Sequence, residues 1–266
     1  MNKKIAIIGG GNLGTAIAEG LISSGFSKPG HIIVTRRSIS SLRALEDKGV
    51  LVSDNNVEAV GFADLVILAI KPYQTEAVVA GIRQALNPAR HILASVVTGI
   101  SMQQLKDMAA CPGLQIARAM PNTAIAIQES MTCLSALGLA EEGGKYIEDL
   151  FNQLGKAVWI DEKLMDAATV LGACGTAFAM RYIRANIQGG IEIGFSASVA
   201  SLIAAQTVKG AAELLLKKGT HPEQEIDKVT TPKGCTIAGL NEMEHQGFSS
   251  SLIKGIVSSY KKIEKD

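Results

Sequence analysis

Residues 4–14 read KIAIIGGGNLG, and this stretch decides the fold. Lys4–Ile8 is a short apolar run of β type, followed at once by Gly9-Gly10-Gly11-Asn12-Leu13-Gly14. Residues 12–24 then change to helical spacing, with Leu13, Ile17, Ala18 and Leu21 on one face. A Gly9-x-Gly11-x-x-Gly14 run between a strand and a helix fits the dinucleotide-binding fingerprint. Gly9 makes the tight turn, Gly11 lets the backbone approach a pyrophosphate, and Gly14 lets helix and strand pack closely. Asn12 and Leu13 fall in the first helical turn, whose free N–H groups and positive dipole end suit a phosphate.

The pattern outward from this stretch supports it. Further β runs are expected at His31–Thr35, Val50–Val52, Leu65–Ile70, His91–Val97, Leu114–Ala117, 131–136 and Ala157–Ile160. Helical stretches fall between them at 38–48, 74–86, 101–110 and 141–154. Strands alternating with helices predict a parallel sheet wound by crossovers. From Glu162 onward the strand-like runs stop. Ala-rich helical stretches take over at 163–187, 197–217, 222–228, 235–245 and 249–264. The fold class is therefore α/β: an N-terminal Rossmann-type domain, residues 1–161, and an all-α domain, residues 162–266. The small side chains of the second domain let helices approach closely, so part of its surface is expected to face a second subunit. A self-contained helical bundle is the alternative.

The end of the second strand bears on the cofactor. An NAD site usually places Asp or Glu there, for the ribose hydroxyls. This chain has Thr35-Arg36-Arg37-Ser38 instead. Guanidinium groups pair with a phosphate dianion, whereas a carboxylate repels it. NADP(H) is thus the preferred cofactor and NAD(H) remains possible. Ligands of such sheets bind outside the carboxyl ends of the strands. Three more strand ends become candidates for the nicotinamide half: Ala69-Ile70-Lys71-Pro72, Val97-Thr98-Gly99, and Met120-Pro121-Asn122.

Composition bounds the rest. Of 266 residues, 47% are apolar and 19% charged, enough for a substantial core. Lys and Arg (26) nearly balance Asp and Glu (25), which argues against a nucleic-acid or membrane surface held by bulk charge. Cys111, Cys133, Cys174 and Cys235 show no C-x-x-C spacing. His31, His91, His221 and His245 are dispersed, so no metal site is expected. The amino terminus lacks the apolar stretch of a signal peptide, and no uninterrupted apolar run approaches a membrane span of about 18 residues. A soluble cytoplasmic protein is expected.

Residues 229–240 read VTTPKGCTIAGL. Thr231 is a good helix N-cap and Pro232 suits the first helical position. Lys233, Gly234, Cys235 and Thr236 would then offer free N–H groups to a small anion; a plain capped helix is the other possibility. With this stretch, Leu68-Ala69-Ile70-Lys71-Pro72, Met120-Pro121-Asn122-Thr123 and the glycine fingerprint, the chain resembles the pyrroline-5-carboxylate reductase family nearly end to end. The resemblance implies NAD(P)H-dependent reduction of a cyclic imine acid to L-proline, an oxidoreductase step of proline biosynthesis. It also implies a helical dimerisation domain, with dimers often assembled into rings of five. By the same resemblance the substrate carboxylate is held at Thr231, Gly234, Cys235 and Thr236. The Thr236 hydroxyl sits beside the ring nitrogen as the catalytic contact, and Asn56 lies near the adenosine end. A protonated imine is already electrophilic, so such a reaction needs orientation more than a strong acid.

Two departures stand out. The family commonly has Ser-Pro-Gly-Gly where this chain has Thr231-Pro232-Lys233-Gly234, and a lysine adopts a glycine conformation only at a cost. It also often has Gly-Ser-Gly-Pro-Ala where Gly172-Ala173-Cys174-Gly175-Thr176-Ala177 stands here. Competing expectations are a reductase of another cyclic imine acid and a non-catalytic nucleotide-binding regulatory homologue. A β-hydroxyacid dehydrogenase would need a lysine acid in the helical domain. Residues 163–215 hold only Lys163 and Lys209, which speaks against it.

Overall fold

The computed structural model describes residues 3–263. Residues 1, 2 and 264–266, at the outer ends of the two expected domains, lie outside the described residues, as does the last residue of the helix expected at 249–264. The chain divides into two compact units, one running through Cys174 and the other starting at Gly175.

The first unit comprises β1 (Ile5–Ile8), α1 (Asn12–Ser23), β2 (Ile32–Thr35), α2 (Arg43–Glu46), β3 (Leu51–Ser53), α3 (Asn56–Phe62), β4 (Leu65–Leu68) and α4 (Thr75–Ile82). It continues with β5 (Ile92–Ser95), α5 (Met102–Ala109), β6 (Gln115–Met120), β7 (Ser130–Leu137), α6 (Glu141–Asn152), β8 (Gly155–Trp159) and α7 (Met165–Ala168). β1, β2, β4 and β5 are short runs, mostly Ile, Val, Leu and Ala, buried at every position. Strands covered on both faces read this way. The sheet order is β3-β2-β1-β4-β5-β6-β7-β8. Its first six strands are parallel, in the doubly wound Rossmann order. One core packs Ile17 and Leu21 of α1 with Leu150 and Phe151 of α6 on one face. The other packs Ala59, Val60, Val79, Ile82 and Leu105 of α3, α4 and α5 on the opposite face.

The sheet is not parallel throughout. β7 runs antiparallel to β6, and β8 then returns parallel to β7. The connection over residues 121–129 holds only a 3-10 turn, Thr123–Ile127. A parallel crossover needs about a dozen residues or more, so the chain reverses. α3 was not expected either. Its N-cap is Asn55, whose Oδ1 accepts from the N–H groups of Val57 and Glu58.

The helix expected over 163–187 is broken into α7 and a π-helical segment, Thr169–Cys174, before the second unit begins. Packing puts the division at Cys174, later than the change of sequence pattern at 161, because residues 162–174 are tied to β6 and its following turn. Arg118 of β6 is ion-paired with Glu162 and Asp166, and the Asn122 side-chain amide donates to the Gly172 carbonyl at 3.2 Å.

The second unit is helical: α8 (Gly175–Glu192), α9 (Ala197–Lys218), α10 (Pro222–Lys228), α11 (Cys235–His245) and α12 (Phe248–Ile263). α8 packs on α9 and α11 on α12, and the rings of Tyr182 and Phe248 meet at 5.9 Å. Among its described residues only Ala200 and Ala204 are buried apolar side chains. Leu202 is 71% exposed, Leu216 76% and Ile193 78%. α9 is long and apolar enough, by length and composition, to cross a membrane.

Candidate active site

Strand register brings the expected cofactor residues of the first unit to one edge. Thr35, Ile8, Leu68, Ser95 and Arg118 lie in one row across β2, β1, β4, β5 and β6. Residues just past that row line the carboxyl ends of the strands. The N–H groups of Gly9 and Gly10 donate to the Thr35 carbonyl at 3.2 and 2.7 Å, and that of Ala69 donates to Ile8 at 2.8 Å. Gly9 has φ 113°, and a Cβ there would run into the Ala69 carbonyl. At Gly14 a Cβ would strike the Gly9 carbonyl oxygen, while at Gly11 it would meet nothing. The loop is thus closed against the sheet at two glycines and open at the one a pyrophosphate would approach. Gly11 caps α1 without a side-chain bond, and the first turn, with Asn12 and Leu13, carries no acidic residue.

Arg36, Arg37 and Ser38 are exposed at the end of β2. They are not equivalent. Arg36 Nη1 donates to the Gly10 carbonyl at 2.8 Å, so its guanidinium braces the glycine loop. Ser38 Oγ lies 3.0 Å from Ser40 Oγ. Asn56, first residue of α3, joins this cluster: its Oδ1 accepts from the Thr35 hydroxyl at 2.6 Å.

Farther along the edge, Lys71 and Pro72 are exposed after the half-buried Ala69, and the Lys71 N–H closes the turn onto Gln74 Oε1 at 3.3 Å. Thr98 Oγ1 lies 3.9 Å from Met120 Sδ, joining the ends of the β5 and β6 segments. Met120 and Pro121 are buried. Asn122 is committed to the protein. Its Oδ1 accepts from Ala124 N–H, its Nδ2 donates to Gly172, and its N–H donates to Ser130 Oγ. Burial pushes the thiol of neighbouring Cys133, paired with Met120 across the sheet, above its ordinary range, so it stays protonated.

A residue absent from the sequence-based candidates belongs to the same row. Arg118 is 4% exposed, with Nη1 3.5 Å from Glu162 Oε1 and Nη2 3.6 Å from Asp166 Oδ1. Its signal was legible: a single cation inside the apolar strand Ile116-Ala117-Arg118-Ala119-Met120.

In the second unit the start of α11 differs from expectation. The N-cap is Gly234, not Thr231, and Cys235 and Thr236 are the first two helical residues. The Gly234 N–H donates to the Thr231 carbonyl at 2.9 Å, closing a turn with Pro232 and Lys233 at its centre. Lys233 has φ 61°, so the turn is of type II, which needs a positive φ at its third residue. This bond replaces the helical alternative, in which Thr231 would cap a helix starting at Pro232 by accepting from the Lys233 or Gly234 N–H. A Cβ on Gly234 would lie 2.6 Å from Thr231 Oγ1. The first turn of α11 has no side-chain cap and no acidic residue. Thr231 and Cys235 are exposed and Thr236 half-buried. The four cysteines are unbridged. No cluster of three or more His, Cys, Asp or Glu among the described residues could hold a metal.

Residues 162–266 match the family model described as pyrroline-5-carboxylate reductase dimerisation, and residues 4–99 one described as NADP oxidoreductase, coenzyme F420-dependent. Pyrroline-5-carboxylate reductase 2 of Dictyostelium discoideum is 43% identical, over 99% of this chain and 93% of that protein. Pyrroline-5-carboxylate reductase 1 of the same organism is 45% identical over 96% of this chain, which spans about half, 48%, of that relative. Among solved structures, Plasmodium falciparum pyrroline carboxylate reductase with NADP bound superposes with a TM-score of 0.89 at 25% identity, covering 99% of this chain and 98% of that one.

Proposed function

We propose, since the chain belongs to the pyrroline-5-carboxylate reductase family, that it reduces 1-pyrroline-5-carboxylate to L-proline, an oxidoreductase step using NAD(P)H. The observation that carries this is the pair of helix starts, α1 and α11, each free of a capping side chain and of acid in its first turn. One suits the cofactor pyrophosphate and the other the carboxylate of the imine acid.

The residues fit the cofactor. Gly9 and Gly14 tolerate no Cβ and Gly11 stays open. Asn12 and Leu13 supply first-turn N–H groups, and Arg36, Arg37 and Ser38 offer exposed cationic and hydroxyl side chains to a 2′-phosphate. NADP(H) is the preferred partner in this reading, with NAD(H) accepted. Asn56, beside Thr35, serves the adenosine side. Ala69, Lys71, Pro72, Thr98 and Met120, with the backbone at Pro121 and Asn122, would border the nicotinamide. When bound, the nicotinamide supplies the hydride for the imine carbon.

The protein's part is orientation. Backbone N–H groups at Gly234, Cys235 and Thr236, with the Thr231 hydroxyl, hold the carboxylate. The Thr236 hydroxyl faces the ring nitrogen and fixes the ring plane. No residue needs to act as a strong acid, because the protonated imine already accepts hydride. In this division the unit that runs through Cys174 binds the cofactor, and the unit that starts at Gly175 binds substrate and pairs with a second subunit. Apolar residues such as Leu202 and Ile203 on α9 are left exposed in the single chain. We assign that face to a homodimer, with rings of dimers as the larger assembly, rather than to a membrane or a nucleic acid. The location is cytoplasmic.

Purified protein mixed with the five-membered or six-membered cyclic imine acid, under NADPH or NADH, tests this. Proline formation with NADPH oxidation, fastest on the five-membered ring, is expected. Cofactor binding without oxidation on either ring would overturn it in favour of a regulatory nucleotide-binding protein.

A further inference from the structure

We propose that Arg118 is a positioning residue, whose guanidinium fork sets the wall on the nicotinamide side of the active site; this rests on the reductase assignment above. Arg118 stands in the row of strand ends, in register with Ser95 and Ser135. It is almost wholly buried, and its Nε has no hydrogen-bond partner. Burying a cation is costly unless it is paired, and Arg118 is paired with two carboxylates, Glu162 and Asp166.

Three separate pieces of the site meet through this side chain. Nη1 pairs with Glu162, and Nη2 with Asp166 one helical turn on. The same Glu162 Oε1 accepts the Met102 N–H at 2.5 Å, so it also pins the start of α5. Residues 97–101, which carry Thr98, lead directly into that helix start, where Ser101 is the N-cap. Asp166 opens the segment that runs into the π-helical turn Thr169–Cys174, whose Gly172 carbonyl is held by Asn122, four residues after Arg118. Single-turn π segments are enriched at functional sites.

A planar fork can face two carboxylates at once, whereas a lysine ammonium is a point charge on a flexible stem. Arg118 thereby fixes the loop at Thr98, the end of β6 and the π turn relative to one another. Neither cofactor phosphates nor substrate carboxylate would touch it. Its loss is therefore expected in the hydride step rather than in binding.

The experiment compares the wild type with Arg118→Lys and Glu162→Gln. It measures kcat and KM for the imine acid, the NADPH dissociation constant by fluorescence, and the primary isotope effect with NADPH deuterated at the transferred position. Since misplacement by about 1 Å can lower a rate about a hundredfold, a loss of at least tenfold in kcat is expected for both variants. The isotope effect should rise, while NADPH affinity and KM stay within about threefold, a margin of under 1 kcal/mol. Unchanged kcat with a lower melting temperature would reduce Arg118 to a structural strut. NADPH affinity falling in step with kcat would mean general distortion, and also overturns the proposal. Should Arg118→Lys fail to fold, Glu162→Gln decides alone: wild-type kcat there refutes the clamp. A wild type without imine reduction removes the assigned reaction and this proposal with it. A fully active wild type alongside unaffected variants removes only the proposal.

Discussion

Lys233 occupies a backbone position made for glycine, so Lys233→Gly and Lys233→Ala should part company. At φ 61° the lysine is the third residue of the Thr231–Gly234 turn. A left-handed conformation costs a non-glycine residue roughly 1–2 kcal/mol. Glycine would release that strain but would add unfolded-state freedom worth about 0.4–1 kcal/mol. The net gain for Lys233→Gly is about 1 kcal/mol, or about 2–4 °C in melting temperature for a chain of this size. Alanine keeps the Cβ and hence the strain, so Lys233→Ala should leave stability near wild type. Both variants lose the ammonium. If that charge attends the substrate carboxylate in solvent, at about 4 Å, its loss weakens binding by about 1 kcal/mol, or about fivefold in KM. Thermal melts and urea titrations at fixed protein concentration read the first effect, and steady-state kinetics the second. Equal stability of the glycine and alanine variants would refute the strain. A wild-type KM for Lys233→Ala would remove the ammonium from the site.

Other expectations concern the two ends of the active site and the core. Arg37→Ala should weaken NADPH about tenfold or more while sparing NADH, the loss of one charge-assisted pair; Arg36→Ala should weaken both cofactors, because Arg36 also holds the Gly10 carbonyl. Titrating both variants with both cofactors checks this, and equal losses for Arg37→Ala would contradict it. Thr236→Ala should cut turnover about tenfold or more with NADPH affinity retained, if the hydroxyl contacts the charged imine; unchanged turnover would strip Thr236 of its role. His91 is buried, with Nδ1 accepting the Asn87 N–H at 2.9 Å. Burial first, then the Arg90 charge, holds its pKa below the ordinary 6.5. The neutral ring is thus favoured in the folded state, its contribution complete above pH 6.5 and lost as pH falls toward the depressed folded value. His91→Asn, which keeps an acceptor for Asn87, should flatten the decline in urea midpoint between about pH 7 and 5.5; parallel declines would refute it.

The parts of the fold legible in sequence were those whose cause lies within a few residues. Ile5–Ile8, Gly9, Gly11 and Gly14 are contiguous, so strand, turn and helix can be read together. The direction of β7 could not be read this way. It depends on β6 reaching Met120 rather than stopping at Ala117, which leaves too few residues for a crossover. α3 was hidden because its signal is one capping asparagine before a short helix. The π turn at Thr169–Cys174 leaves no mark in side-chain periodicity over so few residues. At Thr231 the local rule for a helix start lost to the turn bond between Thr231 and Gly234. Among the candidate residues, the backbone positions were legible because only glycine fits the positive φ of Gly9 and the close approach at Gly9 and Gly14. Side-chain partners were not: nothing adjacent to Asn122 indicates Gly172, and nothing near Arg36 in sequence indicates Gly10. Arg118 was visible as a charge among apolar neighbours, but its partners lie in another segment.

The scarcity of shielded apolar side chains in the second unit has a consequence for how the protein matures. With only Ala200 and Ala204 fully buried among its described apolar residues, that half has little apolar burial to offset the entropy of ordering five helices. In the homodimer proposed above, completion of the fold is a bimolecular event, governed by how often newly made chains collide. Dilution should melt the helical half while the nucleotide-binding half stays intact, so that in a cell the amount of chain made sets the fraction that becomes enzyme.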